Sequence, residues 1–247
     1  MIILKLIFTF ILSYFFIKLI INNALYLGLT DIPNERSSHT KITPRGAGIG
    51  FGFSFFISIL IFEFSLFLEY WIVFLAIFMV FLVGILDDHK DASPRAKFYV
   101  IFLATFLLFL DDISIYSLGV FLGFDLKLWY LALPFTMFAL AGFTNALNLI
   151  DGLDGLAGTI SLVILSTFLY IGYINDDNLI VTLCLFSMTS VLAFLIFNWN
   201  PARIFMGDSG SLFLGFIISI VAVLSLKYIH PCLLYTFRAH ETKANLV

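Results

Sequence analysis

Apolar and polar stretches alternate along this chain with a long period. Eight apolar runs stand out, at about 2–21, 47–68, 71–86, 98–110, 128–147, 158–174, 179–197 and 211–229. Runs of this length without charges predict membrane helices, although several fall short of the roughly 20 residues that cross a hydrocarbon core. No internal repeat or low-complexity linker interrupts the series. The pattern predicts an all-α, polytopic helical membrane protein of about eight transmembrane helices. It forms a single integral-membrane domain over 1–229, followed by an atypical tail at 230–247.

Composition agrees with this reading. The chain of 247 residues is 62% hydrophobic and 12% charged, against about 25% charged residues in a soluble domain. With 31 Phe and 10 Tyr, aromatic rings are expected on the lipid-facing surfaces. The first apolar run lacks a small-residue cleavage site and reads as a retained span. Cys184 lies inside an apolar run and Cys232 in the tail, which argues against a disulfide framework or a cysteine metal site. The four histidines show no metal-ligand spacing, and neither a P-loop nor a nucleophile-elbow motif occurs.

The net charge of −3 hides a segregation of sign. With eight spans, loops 22–46, 87–97, 148–157 and 198–210 share one side and carry Arg36, Lys41, Arg45, Lys90, Arg95, Lys97 and Arg203. The other side carries Lys127 and the acids Glu69, Asp111, Asp112, Asp125, Asp176 and Asp177. Excess Lys and Arg mark the cytoplasmic side, so the basic loops are expected there and the N-terminus outside. The same four loops hold nearly every residue with chemical promise, which predicts one cytoplasmic site.

The segment from Asn145 to Gly158 places Asn145, Asn148, Asp151 and Asp154 with three glycines at the end of a span. Polar groups at such a position are expensive and suggest function; a plain helix-connecting turn needs one glycine and tolerates acids, but does not need all four. Asp87 and Asp88 adjoin at another span end. Neighbouring carboxylates repel, so both stay ionised only beside a cation or basic groups, and Mg²⁺ fits a site of one or two carboxylates plus phosphates. Lys90, Arg95 and Lys97 could hold an anionic headgroup. A solvated helix end is the plain alternative, and the similar pair Asp111–Asp112 is read that way. Arg36, His39, Lys41 and Arg45 suit phosphate as a cluster, although each alone could be an ordinary positive-inside residue. Asp208 lies between Gly207 and Ser209 at the start of the last span, where it could cap a helix or meet an anion-binding helix terminus.

These motifs resemble those of the polyprenyl-phosphate N-acetylhexosamine-1-phosphate transferases, glycosyltransferase family 4, relatives of the MraY translocase. Within that family the WecA/WbpL-type enzymes that start O-antigen and related glycans are most similar. The resembling segments, in the family's order, are Arg36-Ser37-Ser38-His39 with Thr43-Pro44-Arg45-Gly46, Asp87-Asp88 with Lys97, Asn145 to Leu156, and Phe205 to Ser211. The resemblance implies that a UDP-linked N-acetylhexosamine donates sugar-1-phosphate to undecaprenyl phosphate in the inner membrane. UMP leaves, with Mg²⁺ assisting and Mn²⁺ as an alternative. It implies catalytic roles for Asp87, Asp88 and Asp208, with Asp208 and Asp151 as metal ligands. It further implies substrate binding by Arg45, Lys97, Asn148, Asp151 and Asp154. Homo-oligomers are compatible with it, and nucleic acid is not an expected partner.

The C-terminus departs from the family pattern. No His-x-His follows the last span, and His230 to Val247 reads as neither a good span nor a good basic loop. The expectation is a truncated chain of reduced activity. Two other readings are a truncated, inactive protein of the same fold and a transporter; the latter would place acids near mid-span rather than at span ends.

Overall fold

A computed structural model describes residues 2–31, 42–90, 93–121 and 124–244. In lipid every backbone N–H and C=O must find a partner within the protein, and a helix satisfies them internally. Helices accordingly occupy all eight apolar runs: α1 (Ile2–Leu27), α2 (Ala47–Phe62), α4 (Trp71–Lys90), α5 (Pro94–Leu110), α6 (Ala132–Ile150), α7 (Leu156–Ile174), α8 (Asn178–Asn198) and α9 (Asp208–Ala244). Six of these are long and apolar enough to cross a membrane, whereas α2 and α5 have 16 and 17 residues. The chain is an all-α polytopic membrane protein.

The run at 47–68 is not one helix. It breaks at Glu63, after which a short α3 (Phe64–Glu69) follows. Glu63 receives Lys5 of α1 at 2.7 Å, so the break places a carboxylate where a lysine near the chain start can reach it. Among the described residues, two short antiparallel strand pairs accompany the helices. One pairs β1 (Thr30–Asp31) with β2 (Thr43–Pro44) beside α2; the other pairs β3 (Ser117–Phe121) with β4 (Phe124–Lys127) between α5 and α6.

Helix α9 is the axis of the bundle. It packs against α2, α4, α6, α7 and α8, and its residues Leu212 to Ile218 are buried. Many rings turn inward rather than toward lipid. Phe213 meets Phe55 and Phe81 at 5.3 and 5.5 Å between ring centroids, and Phe51 sits 5.6 Å from Phe194. Phe138 and Tyr170 are exposed, while Phe51, Phe55, Phe81 and Phe213 form the core.

Around the first turn of α9 the packing reaches backbone contact. A Cβ on Gly48 of α2 would lie 2.0 Å from the Gly210 nitrogen, and one on Gly84 of α4 would lie 2.6 Å from Ser209 Cα. No side chain could yield there, so only glycine lets α2 and α4 approach this closely. The segment before α9 is fixed by main-chain bonds to the start of α2: Phe205 donates to the Pro44 carbonyl, and Ala47 and Gly48 donate to Phe205 and Met206. The ends of α4, α6 and α8 and the starts of α2, α5, α7 and α9 therefore meet at one end of the bundle. The α3 segment, the β3–β4 hairpin and the α7–α8 turn lie at the other.

Candidate active site

Asp208 is the first residue of α9 and the point where the predicted loops converge. Its Oδ1 accepts a hydrogen bond from Asn148 Nδ2 at 2.7 Å, and its Oδ2 pairs with the Lys97 ammonium. Lys97, in the first turn of α5, also pairs with Asp87 Oδ2. One cation thus holds two carboxylates from different helices, which lowers the repulsion between them. Asn148 donates in addition to Ser211 Oγ, one turn along α9, at 2.7 Å. The last turn of α6 is thereby aligned with the first turn of α9.

Asp87 and Asp88 lie together near the end of α4, both buried, but they face different groups. Asp88 Oδ1 and Oδ2 accept the backbone N–H groups of Asp208 and Ser209 at 2.8 and 3.1 Å. The first N–H groups of a helix have no partner within it, and a negative charge there is favourable. Asp208 itself, which the sequence offered as a possible cap, leaves that task to a residue 120 positions earlier. Gly207 has φ 76°, and a Cβ there would fall 2.6 Å from Asp88 Oδ1. Arg45 Nη2 donates to the Asp88 carbonyl oxygen at 2.8 Å, which ties the start of α2 to the same turn.

Asp151 follows α6 directly. Burial, and then the charge of Asp88, push its carboxyl up to about 8, while the Gly207 N–H pulls the other way. A carboxyl penalised for carrying charge is one whose anion a divalent cation would stabilise. Among the described residues no group of three or more His, Cys, Asp or Glu is arranged to hold a metal by itself. Mg²⁺ does not require such a group: it commonly takes one or two carboxylates and completes its shell with water and substrate phosphates. The hard oxygen donors of Asp208 and Asp151 fit that ion.

Asp154 is engaged elsewhere. Its Oδ2 accepts from the Ala202 N–H at 2.9 Å and from Asn200 Nδ2 at 3.2 Å. Asn198 makes a second tie between the same segments: its Oδ1 accepts from the Gly155 N–H at 2.8 Å, and its Nδ2 donates to the Ile204 carbonyl at 2.9 Å. Sequence reasoning passed over Asn198 and Ser211 as site residues. A buried amide closing the apolar run of α8 was the available signal for Asn198. Arg36, His39 and Lys41 lie outside the described residues, as does Asp91.

Beside Lys97 and Asn148 a cleft of about 220 Å³ opens between α5, α6 and α9. Lys97, Asn145 and Asn148 form its polar part, and Phe98, Ile101 and Leu212 its apolar part. Such a cleft matches a molecule that is anionic at one end and hydrocarbon at the other.

The sequence matches the family described as Glycosyl transferase family 4 over residues 70–226. It is 36% identical over 204 residues to a Bacillus subtilis protein named probable undecaprenyl-phosphate N-acetylglucosaminyl 1-phosphate transferase, covering 82% of this chain and 57% of that one. It is 32% identical over 203 residues to a phospho-N-acetylmuramoyl-pentapeptide-transferase of Listeria welshimeri, covering 74% of this chain and 61% of that one. The chain spans about three fifths of the length of these two relatives. The matched region contains the α4 carboxylates, Lys97, the α6–α7 turn and the start of α9, and the chain belongs to glycosyl transferase family 4.

Proposed function

We propose that this protein transfers an N-acetylhexosamine-1-phosphate from a UDP-sugar to undecaprenyl phosphate at the cytoplasmic face of the inner membrane. UMP leaves, and the lipid-linked sugar starts a cell-envelope glycan such as an O-antigen. The observation that carries the proposal is the convergence on Asp208. Both its carboxylate oxygens are held, by Asn148 and by Lys97, and Lys97 reaches Asp87 as well.

The reaction forms one P–O bond and breaks another. A lipid phosphate oxygen attacks the phosphorus attached to the sugar, and the diphosphate bond to UMP breaks. The linkage lost is of the same kind as the linkage made, so no external energy source is required. Lys97 offers a cation for the lipid phosphate, with Phe98, Ile101 and Leu212 beside it for the first hydrocarbon units. Asp87, paired with Lys97, would accept a proton from that phosphate. Arg45, oriented by the Asp88 carbonyl, offers donors to a phosphate. Asn148 and Asp151 form the nucleotide side, and Asp154 braces it by holding the Asn200–Ala202 segment. When bound, Mg²⁺, or Mn²⁺ in its place, would be held by Asp208 and Asp151 and would neutralise charge on the diphosphate. Much of the acceleration then comes from positioning two anions against each other.

The test is a membrane assay with radiolabelled UDP-N-acetylglucosamine and undecaprenyl phosphate. A labelled lipid is expected that disappears with EDTA and returns with excess Mg²⁺. No labelled lipid from any UDP-N-acetylhexosamine, or a product indifferent to EDTA, would refute the proposal.

A further inference from the structure

Asp87 and Asp88 adjoin in sequence, yet they turn to different partners: Asp87 pairs with Lys97, which lines the cleft. Both Asp88 oxygens are spent on backbone N–H groups of α9, and its main-chain carbonyl holds Arg45. Gly207 and Gly46 close over the carboxylate: a Cβ on Gly207 would lie 2.6 and 2.8 Å from its two oxygens, and one on Gly46 would lie 3.6 Å from Oδ2. The residue is 3% exposed. A substrate phosphate or a metal at these oxygens would compete with the N–H groups of Asp208 and Ser209. Gly84 lies one helical turn before Asp88 on the same face of α4, and it abuts Ser209 at backbone distance. Helix α4 therefore grips the start of α9 twice, once by close approach and once by charge.

We infer that Asp88 is a positioning residue, which holds the backbone of Asp208 so that the Asp208 carboxylate meets Asn148, Lys97 and an incoming divalent cation. It is neither a base nor a metal ligand. This rests on the metal role given to Asp208 under Proposed function. Asp88 fixes Asp208 from the main chain, while Asn148 and Lys97 fix it from the side chain. Loss of the cap frees the two N–H groups, lets the first turn of α9 fray, and moves the carboxylate. Outer-shell partners of this kind typically change metal affinity by about 10- to 100-fold.

The test uses full-length, detergent-purified protein with two readouts. Mn²⁺ affinity is measured by electron paramagnetic resonance with UMP present. Backbone exchange over 205–215 is measured by hydrogen–deuterium mass spectrometry without metal. Asp88→Ala, which removes both acceptors, should weaken Mn²⁺ binding about 10- to 100-fold and speed exchange at Asp208 and Ser209. Asp88→Asn keeps one acceptor oxygen and should fall between Asp88→Ala and wild type in both readouts. It also serves if the alanine variant does not fold. Faster exchange with unchanged Mn²⁺ affinity would reduce the cap to a stability element and overturn the inference. Unchanged exchange in Asp88→Asn or Asp88→Ala would do the same, whatever happens to the metal. If wild type binds no Mn²⁺, the metal role of Asp208 fails, and the positioning role toward a cation fails with it, while the exchange data still decide whether Asp88 holds the turn.

Discussion

Three Asp-Asp pairs lie at span ends in this chain, and their surroundings separate them. Asp87 is buried against Lys97. Asp111 and Asp112 are exposed at the far end of α5, where Asp112 accepts the Tyr116 hydroxyl at 2.9 Å. Asp87→Asn should lower transfer by about 10²-fold or more, the scale of losing one charge-stabilising group in an enclosed site. Asp111→Asn should stay within about twofold, as surface changes away from special features usually do. Rates of purified variants in the same transfer assay check both. Asp177 gives a pH-dependent counterpart at the opposite end. Burial alone would raise its carboxyl, but hydrogen bonds from Lys227, the Ile180 N–H and Tyr228 outweigh burial and hold it below its ordinary value. A depressed carboxyl contributes stability that is full above its unfolded pKa and is lost as pH falls through the folded one. Asp177→Asn keeps an N-cap oxygen and loses the charge. It should be less stable than wild type at pH 7 by about 1 kcal/mol or less, because Lys227 is largely exposed, which a lower melting temperature in detergent would show. The gap should close as the medium is taken below about pH 4.

At the scale of elements, the site depends on how closely three helices approach. Gly48→Ala and Gly84→Ala each push a methyl into the backbone of α9. Overpacking of this kind typically costs about 1–3 kcal/mol, and here it also displaces Asp208. Gly142→Ala on α6 meets nothing within 4 Å, and should be neutral or slightly stabilising, by up to about 1 kcal/mol. Thermal unfolding of the three variants in detergent, alongside their transfer rates, checks the contrast. These glycines also mark the limit of what the sequence discloses. The polar loops were legible because Asn148, Asp151 and Asp208 stand out against an oily chain. Lys97 stood among other basic residues, and its partners Asp87 and Asp208 depend on the packing of α4, α5 and α9. That Asp88 caps α9, and that Asp154 ties down the Asn200–Ala202 segment, are contacts between distant segments that no local pattern encodes. The break at Glu63 was hidden inside an apolar run, because the lysine that pairs with it lies 58 residues away.

For the whole molecule, alternating helices carry chemistry to one end. That end carries Lys97 and Arg203, and the proposed function puts it in the cytoplasm, in keeping with the positive-inside rule. In a background lacking Cys184 and Cys232, Ser93→Cys and Leu153→Cys should resist an impermeant thiol reagent on intact cells, while Asn175→Cys should react. All three positions are exposed, so accessibility alone does not decide the result. Ser209 would be a poor probe, since it is fully buried. Labelling of Ser93→Cys from outside would invert the molecule. The central claim is that segments far apart in the chain act as one site around Asp208, and a double-mutant cycle on Lys97 and Asp208 tests it most directly. Lys97→Met and Asp208→Asn should each reduce the transfer rate by about 10²-fold. Residues acting as a unit are strongly non-additive, so the double variant should be no more than a few-fold worse than either single one. Losses that multiply to about 10⁴-fold would mean that the two residues act independently, and would contradict a single site built on Asp208.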